Sequence, residues 1–99
     1  MVRIKRLGKF TLTLEKLLFD NPDLEVITDK KIALFLNNPS DTRLDNHPLT
    51  KTMGGKWAFS ITDDVRIVYQ WLSRTTVRFL EIGPHTIVYI KAKKQLPKR

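Results

Sequence analysis

Between Trp57 and Trp71 two alternating stretches meet at Thr62-Asp63-Asp64, and the length of that connection decides which residues share a face. Trp57, Phe59 and Ile61 alternate with Ala58 and Ser60; Val65, Ile67, Tyr69 and Trp71 alternate with Arg66, Val68 and Gln70. This is the period of two half-buried strands. A three-residue loop sets Ile61 against Val65 and Ser60 against Arg66, which gathers the large apolar side chains on one face. A two-residue loop at Asp63-Asp64 sets Ile61 against Arg66 and scatters them. A slip of one residue turns a whole strand over, so the apolar pattern selects the three-residue loop. Ser60, Arg66, Val68 and Gln70 are then expected on the opposite, open face, with Arg78 joining them from the next strand.

The remaining chain fits around this hairpin. Val2-Arg3-Ile4-Lys5-Arg6-Leu7 alternates apolar and basic residues, as a strand does, and Gly8 interrupts it. Phe10, Leu14, Leu17 and Leu18 form one stripe of a helix that Asn21-Pro22 ends. A second helical segment runs from about Asp23 to Asn37, with Leu24, Ile27, Ile32, Phe35 and Leu36 as its apolar positions. Its stripe changes phase, so Thr28 or Asp29 is a possible cap of a separate second half. Residues 39–53 read as a polar connection carrying His47 and Lys51. Thr76 to Ile82 reads as a third strand, and Ile87 to Ile90 as a last short strand or turn. Helices grouped before a meander argue an α+β fold. Its expected form is an N-terminal strand, then two helices packed on one face of a twisted antiparallel sheet of four to five strands.

Ninety-nine residues allow a single domain, 1–99, with one modest core that buries roughly 60–65% of the unfolded surface. The absence of cysteine excludes a disulfide framework and a thiolate metal site. Two histidines far apart in sequence give no metal-ligand spacing, so no metal or other cofactor is expected. Gly54-Gly55-Lys56-Trp57 lacks the spacing of a phosphate-binding loop. Met1 to Arg6 has no apolar signal-peptide core, and no apolar run approaches the ~20 residues that span a bilayer. A cytoplasmic protein without membrane association is the expectation. The net charge of +8 is unevenly placed. Residues 1–45 carry eight basic and seven acidic side chains, whereas residues 46–99 carry ten and three. A one-sided positive field attracts polyanions, nucleic acid above all. Residues 91–99 read as a loose basic tail.

The basic half also carries an ordered set of motifs. His47-Pro48-Leu49 is followed by Gly55-Lys56-Trp57, Asp64-x-Arg66-x-Val68-Tyr69 and Ile82-Gly83-x-His85-x-x-x-Tyr89. In this order, behind one strand and two helices, the chain resembles the RelE/ParE toxin superfamily, and within it the YafQ-like branch. The resemblance implies a toxin of a type II toxin–antitoxin pair: a ribosome-dependent endoribonuclease that cuts messenger RNA in the ribosomal A site and so inhibits translation. A cognate antitoxin would hold it inactive, and the complex would bind operator DNA through that antitoxin. Carried over by position, His47, Asp64, His85 and Tyr89 match catalytic or RNA-contacting residues of the YafQ-like branch. Arg66 matches an arginine of the RelE branch that steadies the scissile phosphate. One departure stands on the strand Trp57–Ile61. YafQ-like toxins carry a histidine where this chain has Ser60, and RelE-like toxins carry lysines nearby.

The residue types suit that chemistry. Attack of a 2′-hydroxyl on the adjacent phosphorus gives a 2′,3′-cyclic phosphate and a 5′-hydroxyl. It needs a base, a stabiliser of the crowded phosphorane and an acid. Histidine suits either proton task, and arginine forks onto phosphate oxygens. His85, on a turn after Gly83-Pro84, is the expected acid or else a surface turn residue. His47 is a base, a positioner of RNA or a loop histidine. Asp64 is a base, an orienter of histidine or an ordinary hairpin-loop residue. Arg66 interrupts an apolar strand and must face solvent, a ligand, or a carboxylate such as Asp64 or Glu81. Tyr89 stacks on a base, donates a proton or simply packs. Lys51, Lys56, Ser60, Arg78, Lys91 and Lys93 are the expected RNA contacts, mostly at the level of field. Trp57, Tyr69 and Trp71 are expected in the core. Two other functions remain open on this fold: a ParE-like poison of DNA gyrase, and a non-catalytic basic module that binds RNA or the ribosome.

Overall fold

The computed structural model describes residues 1–49 and 55–84. The elements run β1 (Arg3–Arg6), α1 (Gly8–Asp20), α2 (Leu24–Asn37), a short 3-10 turn (Thr42–Leu44), β2 (His47–Leu49), β3 (Lys56–Ser60), β4 (Val65–Trp71) and β5 (Thr76–Pro84). The five strands form one sheet in the order β1-β5-β4-β3-β2. The α+β architecture is the expected one. Within it β1 pairs in parallel with β5, so the sheet is mixed rather than wholly antiparallel. The two strands are joined through both helices and the whole meander, a connection long enough for parallel pairing.

The hairpin register is the one the apolar pattern selects. Ser60 opposes Arg66, Phe59 opposes Ile67 and Trp57 opposes Tyr69. The Ile61 N–H donates to the Val65 carbonyl at 2.8 Å, which closes the loop at Thr62-Asp63-Asp64. Phe59, Ile61, Val65, Ile67 and Tyr69 of this hairpin join Val77, Phe79 and Ile82 of β5 in a single core beneath the helices. Phe10 and Leu17 of α1, Phe35 of α2 and Leu44 of the 3-10 turn complete it. Phe35 is the hub: its ring stacks on Phe59 at 4.5 Å and meets Tyr69 edge-on at 4.9 Å, with Phe79 at 6.0 Å. Trp57 and Trp71 pack against this cluster but remain partly exposed.

Three local expectations change. Residues 24–37 form one uninterrupted helix, and Thr28 lies buried inside it rather than capping a second half. The connection at residues 39–53 is not featureless, because it contains the 3-10 turn and the edge strand β2. Only β1 residues Arg3–Arg6 of the N-terminal alternation are strand, and all but one are exposed. The expected element at Ile87–Ile90 and the basic tail at 91–99 lie outside the described residues. Among the described residues no helix is long and apolar enough to cross a membrane.

One irregularity matters for function. Val68 opposes Glu81, yet Tyr69 opposes Phe79, so Leu80 is an extra residue on β5. A bulge of this kind turns the strand over locally. Val77 and Phe79 point into the core before it, and Ile82 does so after it. Glu81, which strict alternation would send into the core with them, is brought to the opposite face. The edge of β5 beyond β1 is covered by α1, whose Thr13 hydroxyl accepts from the Ile82 N–H at 3.2 Å.

Candidate functional site

The face opposite the helices is built in rows, because directly paired residues point the same way. One row holds Ser60, Arg66 and Gly83. The next holds His47, Ala58, Val68 and Glu81. The third holds Leu49, Lys56, Gln70, Arg78 and Lys5. Of the expected residues, His47, Lys56, Ser60, Arg66 and Arg78 therefore share one face. His85, Tyr89, Lys51, Lys91 and Lys93 lie outside the described residues.

Arg66 is fixed by uncharged partners. Its guanidinium donates to the Ser60 hydroxyl and to the Thr62 carbonyl, the latter at 3.3 Å. Its Nε–H is buried without an acceptor among the described residues. Neither carboxylate considered as its partner takes that role. Glu81 pairs instead with Lys9 at 2.9 Å. Asp64 sits exposed at the hairpin tip, where Thr62 Oγ1 accepts from its backbone N–H. Among the described residues Arg66 thus has no ion pair, and its charge is not offset by a contact carboxylate. Ser60, in place of an ionisable group, accepts from the guanidinium and orients it.

His47 is placed by a chain of contacts that the sequence does not display. Asp45 adopts a left-handed conformation (φ 49°), a region that aspartate tolerates, and turns the chain into β2. His47 Nδ1 lies 2.8 Å from the Asp45 carbonyl. In the neutral ring this places the proton on Nδ1 and makes Nε2 the basic nitrogen. The loop before it is tied down by Asn46, whose amide donates to the Pro39 carbonyl at 2.9 Å and whose Oδ1 accepts from the Tyr69 hydroxyl at 2.7 Å. His47 is the diagonal neighbour of Ser60 across the β2–β3 pair, a separation of about 7–8 Å.

Burial pushes the Tyr69 phenol up to about 12, against the pull of Asn46 and Trp71. The unfolded phenol ionises near pH 10. The folded state therefore keeps its proton longer, so this contribution is complete below pH 10 and is lost as pH rises through about 12. Tyr69→Phe is expected to flatten the alkaline limb of a stability–pH curve between those values, at a cost of about 1 kcal/mol at neutral pH from the lost hydrogen bond. Chemical denaturation across that range checks it; an unchanged slope contradicts it.

The open face is not uniformly polar. Ala58 and Val68 are wholly buried on it, with Leu49 and Leu80 packed against them. Beside this small apolar cluster lies a recess of about 270 Å³ bordered by Lys9, Glu81, Lys56, Gln70 and Arg78. Sequence reasoning missed Lys9, Asn46 and Glu81 as site residues. Only the phase break between Phe79 and Ile82 pointed to Glu81.

No protein-family model and no curated protein matches the chain. Solved structures do. YafQ from E. coli strain BL21(DE3) superposes with a TM-score of 0.74 at 21% identity, covering 90% of this chain and 99% of that one. YafQ in the E. coli DinJ–YafQ complex gives 0.73 at 20% identity, covering 90% and 99%. A YoeB/ParE toxin from Agrobacterium tumefaciens gives 0.70 at 18% identity, covering 85% and 99%. The mixed five-stranded sheet carrying two helices on one face is the fold of the RelE/ParE toxins, in its YafQ-like form.

Proposed function

We propose that the protein is the toxin of a type II toxin–antitoxin pair, acting in the cytoplasm as a ribosome-dependent endoribonuclease on messenger RNA. The observation that carries this reading is Arg66: a half-buried guanidinium on the open sheet face, held, among the described residues, by a hydroxyl and a carbonyl. A cation so placed keeps its full charge for an anionic ligand, and its planar donors match phosphate oxygens. In the proposed reaction His47 Nε2 removes the proton of the 2′-hydroxyl, and the oxygen attacks phosphorus. Arg66 stabilises the phosphorane, and the bond to the 5′-oxygen breaks as His85 gives that oxygen a proton. Asp64, at the tip of the hairpin, and Tyr89 orient the RNA. Lys51, Lys56, Arg78, Lys91 and Lys93 supply backbone contacts.

The DinJ–YafQ complex supports a second part of the proposal, a cognate antitoxin bound to this chain. With a net charge of +8, an acidic amphipathic segment that folds on binding is the expected partner. Operator DNA would be reached through that partner.

Mapping the 5′ ends of transcripts after brief expression, with and without active translation, tests the reading. New ends within translated frames, lost when translation is blocked, are expected. Intact transcripts with broken chromosomal DNA would instead assign a gyrase poison. Intact transcripts and intact DNA would assign a non-catalytic binder.

A further inference from the structure

The bulge at Leu80 delivers a carboxylate to a face otherwise crowded with cations, and the reaction above has no use for it. Glu81 is 6% exposed, and Lys9 Nζ lies 2.9 Å from its Oε1. Lys9 comes from the first turn of α1, just past the end of β1, and its side chain is half exposed, so the ammonium reaches both Glu81 and solvent. Both groups border the recess of about 270 Å³, whose apolar wall is Val68 and Leu80. Lys56, Arg78 and Gln70 form its rim. A cavity with an apolar side, a buried carboxylate beside an ammonium, and a cationic rim has the makings of a nucleobase pocket with phosphate contacts outside it.

We propose that this recess reads a guanine base of the RNA, through Glu81 and Lys9. It rests on RNA being the ligand of this face. The ammonium and the two carboxylate oxygens present, in order, a donor and two acceptors. The Watson–Crick edge of guanine presents the complement: the O6 acceptor, then the N1–H and N2–H donors. Adenine offers one donor beside an acceptor, and uracil one donor between two acceptors. Neither can satisfy both carboxylate oxygens, and a buried carboxylate left short of donors is costly. Val68 and Leu80 give the base an apolar surface to lie against, and Arg78 and Lys56 meet the flanking phosphates. Glu81 and Lys9 are thus specificity-determining residues, separate from the groups assigned to bond breaking.

Fluorescence anisotropy on the full chain with labelled pentaribonucleotides tests this. The probes are UUGUU, UUAUU and UUIUU (I, inosine), all 2′-O-methylated so that none can be cut. Tighter binding of the guanine probe by about tenfold over the adenine probe is expected. Inosine, which keeps O6 and N1–H but lacks the N2 amine, should fall between. Glu81→Gln, with its fold checked by thermal melting, should bind all three alike. Equal affinity for guanine and adenine, no binding of either, or a guanine preference that survives Glu81→Gln overturns the proposal. If the variant fails to fold, the guanine–inosine–adenine order in the unaltered protein decides alone. Cleavage plays no part in the readout. A guanine preference without transcript cleavage would refute the nuclease reading only, and cleavage without preference would refute the pocket only.

Discussion

Arg66→Ala is expected to lower the rate of RNA cleavage by about 10²–10³-fold, the scale on which one preorganised charge stabiliser is lost. Ribosome binding should be nearly unchanged, because the remaining cations of the face supply the long-range attraction. The substitution leaves Ser60 Oγ and the Thr62 carbonyl without their donor, at a cost of about 1 kcal/mol each. The variant should therefore fold with a modestly lower melting temperature. Arg66→Lys keeps the charge but not the fork, and should recover only part of the lost rate. Single-turnover cleavage with programmed ribosomes, beside a sedimentation assay of binding, separates the two effects. A fully active Arg66→Ala would remove the guanidinium from the mechanism.

Phe35→Ala is the second large effect. This ring is wholly buried and sits within 4.5–6.4 Å of Phe59, Tyr69, Phe79 and Trp71. Its removal opens a cavity at the point where α2 meets three strands. Truncations of this kind cost about 3–5 kcal/mol, a large share of the stability of a domain this small. Each kcal/mol shifts the midpoint of such a domain by about 4–8 °C, so a fall of 12 °C or more is expected in a thermal melt. Phe35→Leu, which keeps most of the volume, should cost much less. A loss below about 1 kcal/mol for the alanine variant would mean that α2 is not anchored through this ring.

What the sequence disclosed and what it hid have physical causes. The β3–β4 register was legible because both strands alternate cleanly and only one loop length puts Ile61 and Val65 on the same side as Phe59 and Tyr69. The helix of Phe10 and Leu17 was legible from its stripe, and Asn21-Pro22 marked its end. The parallel pairing of β1 was not, since alternation says nothing about strand direction. The bulge at Leu80 was hidden because one extra residue leaves only a phase break, and strict alternation from Val77 and Phe79 would have sent Glu81 into the core. Its actual partner, Lys9, lies in the first turn of α1, 72 positions away in the chain. The Asn46–Tyr69 bond that steadies the approach to His47 is a tertiary contact between a loop and a core tyrosine, with no local pattern to betray it. Arg66 and Ser60 were placed on the open face by the residues alone. The role proposed for the site around them came from the ordered motifs His47 to Tyr89 and their resemblance to toxins.

The chemistry of the cut ends tests the central claim most directly. RNA fragments released on programmed ribosomes by the purified protein should carry a 2′,3′-cyclic phosphate on one side of the break and a 5′-hydroxyl on the other, and a 2′-deoxy substitution at the scissile nucleotide should abolish the break. Fragments bearing 5′-phosphates, or undiminished cleavage at the 2′-deoxy position, would contradict attack by the neighbouring hydroxyl on a phosphate held by Arg66.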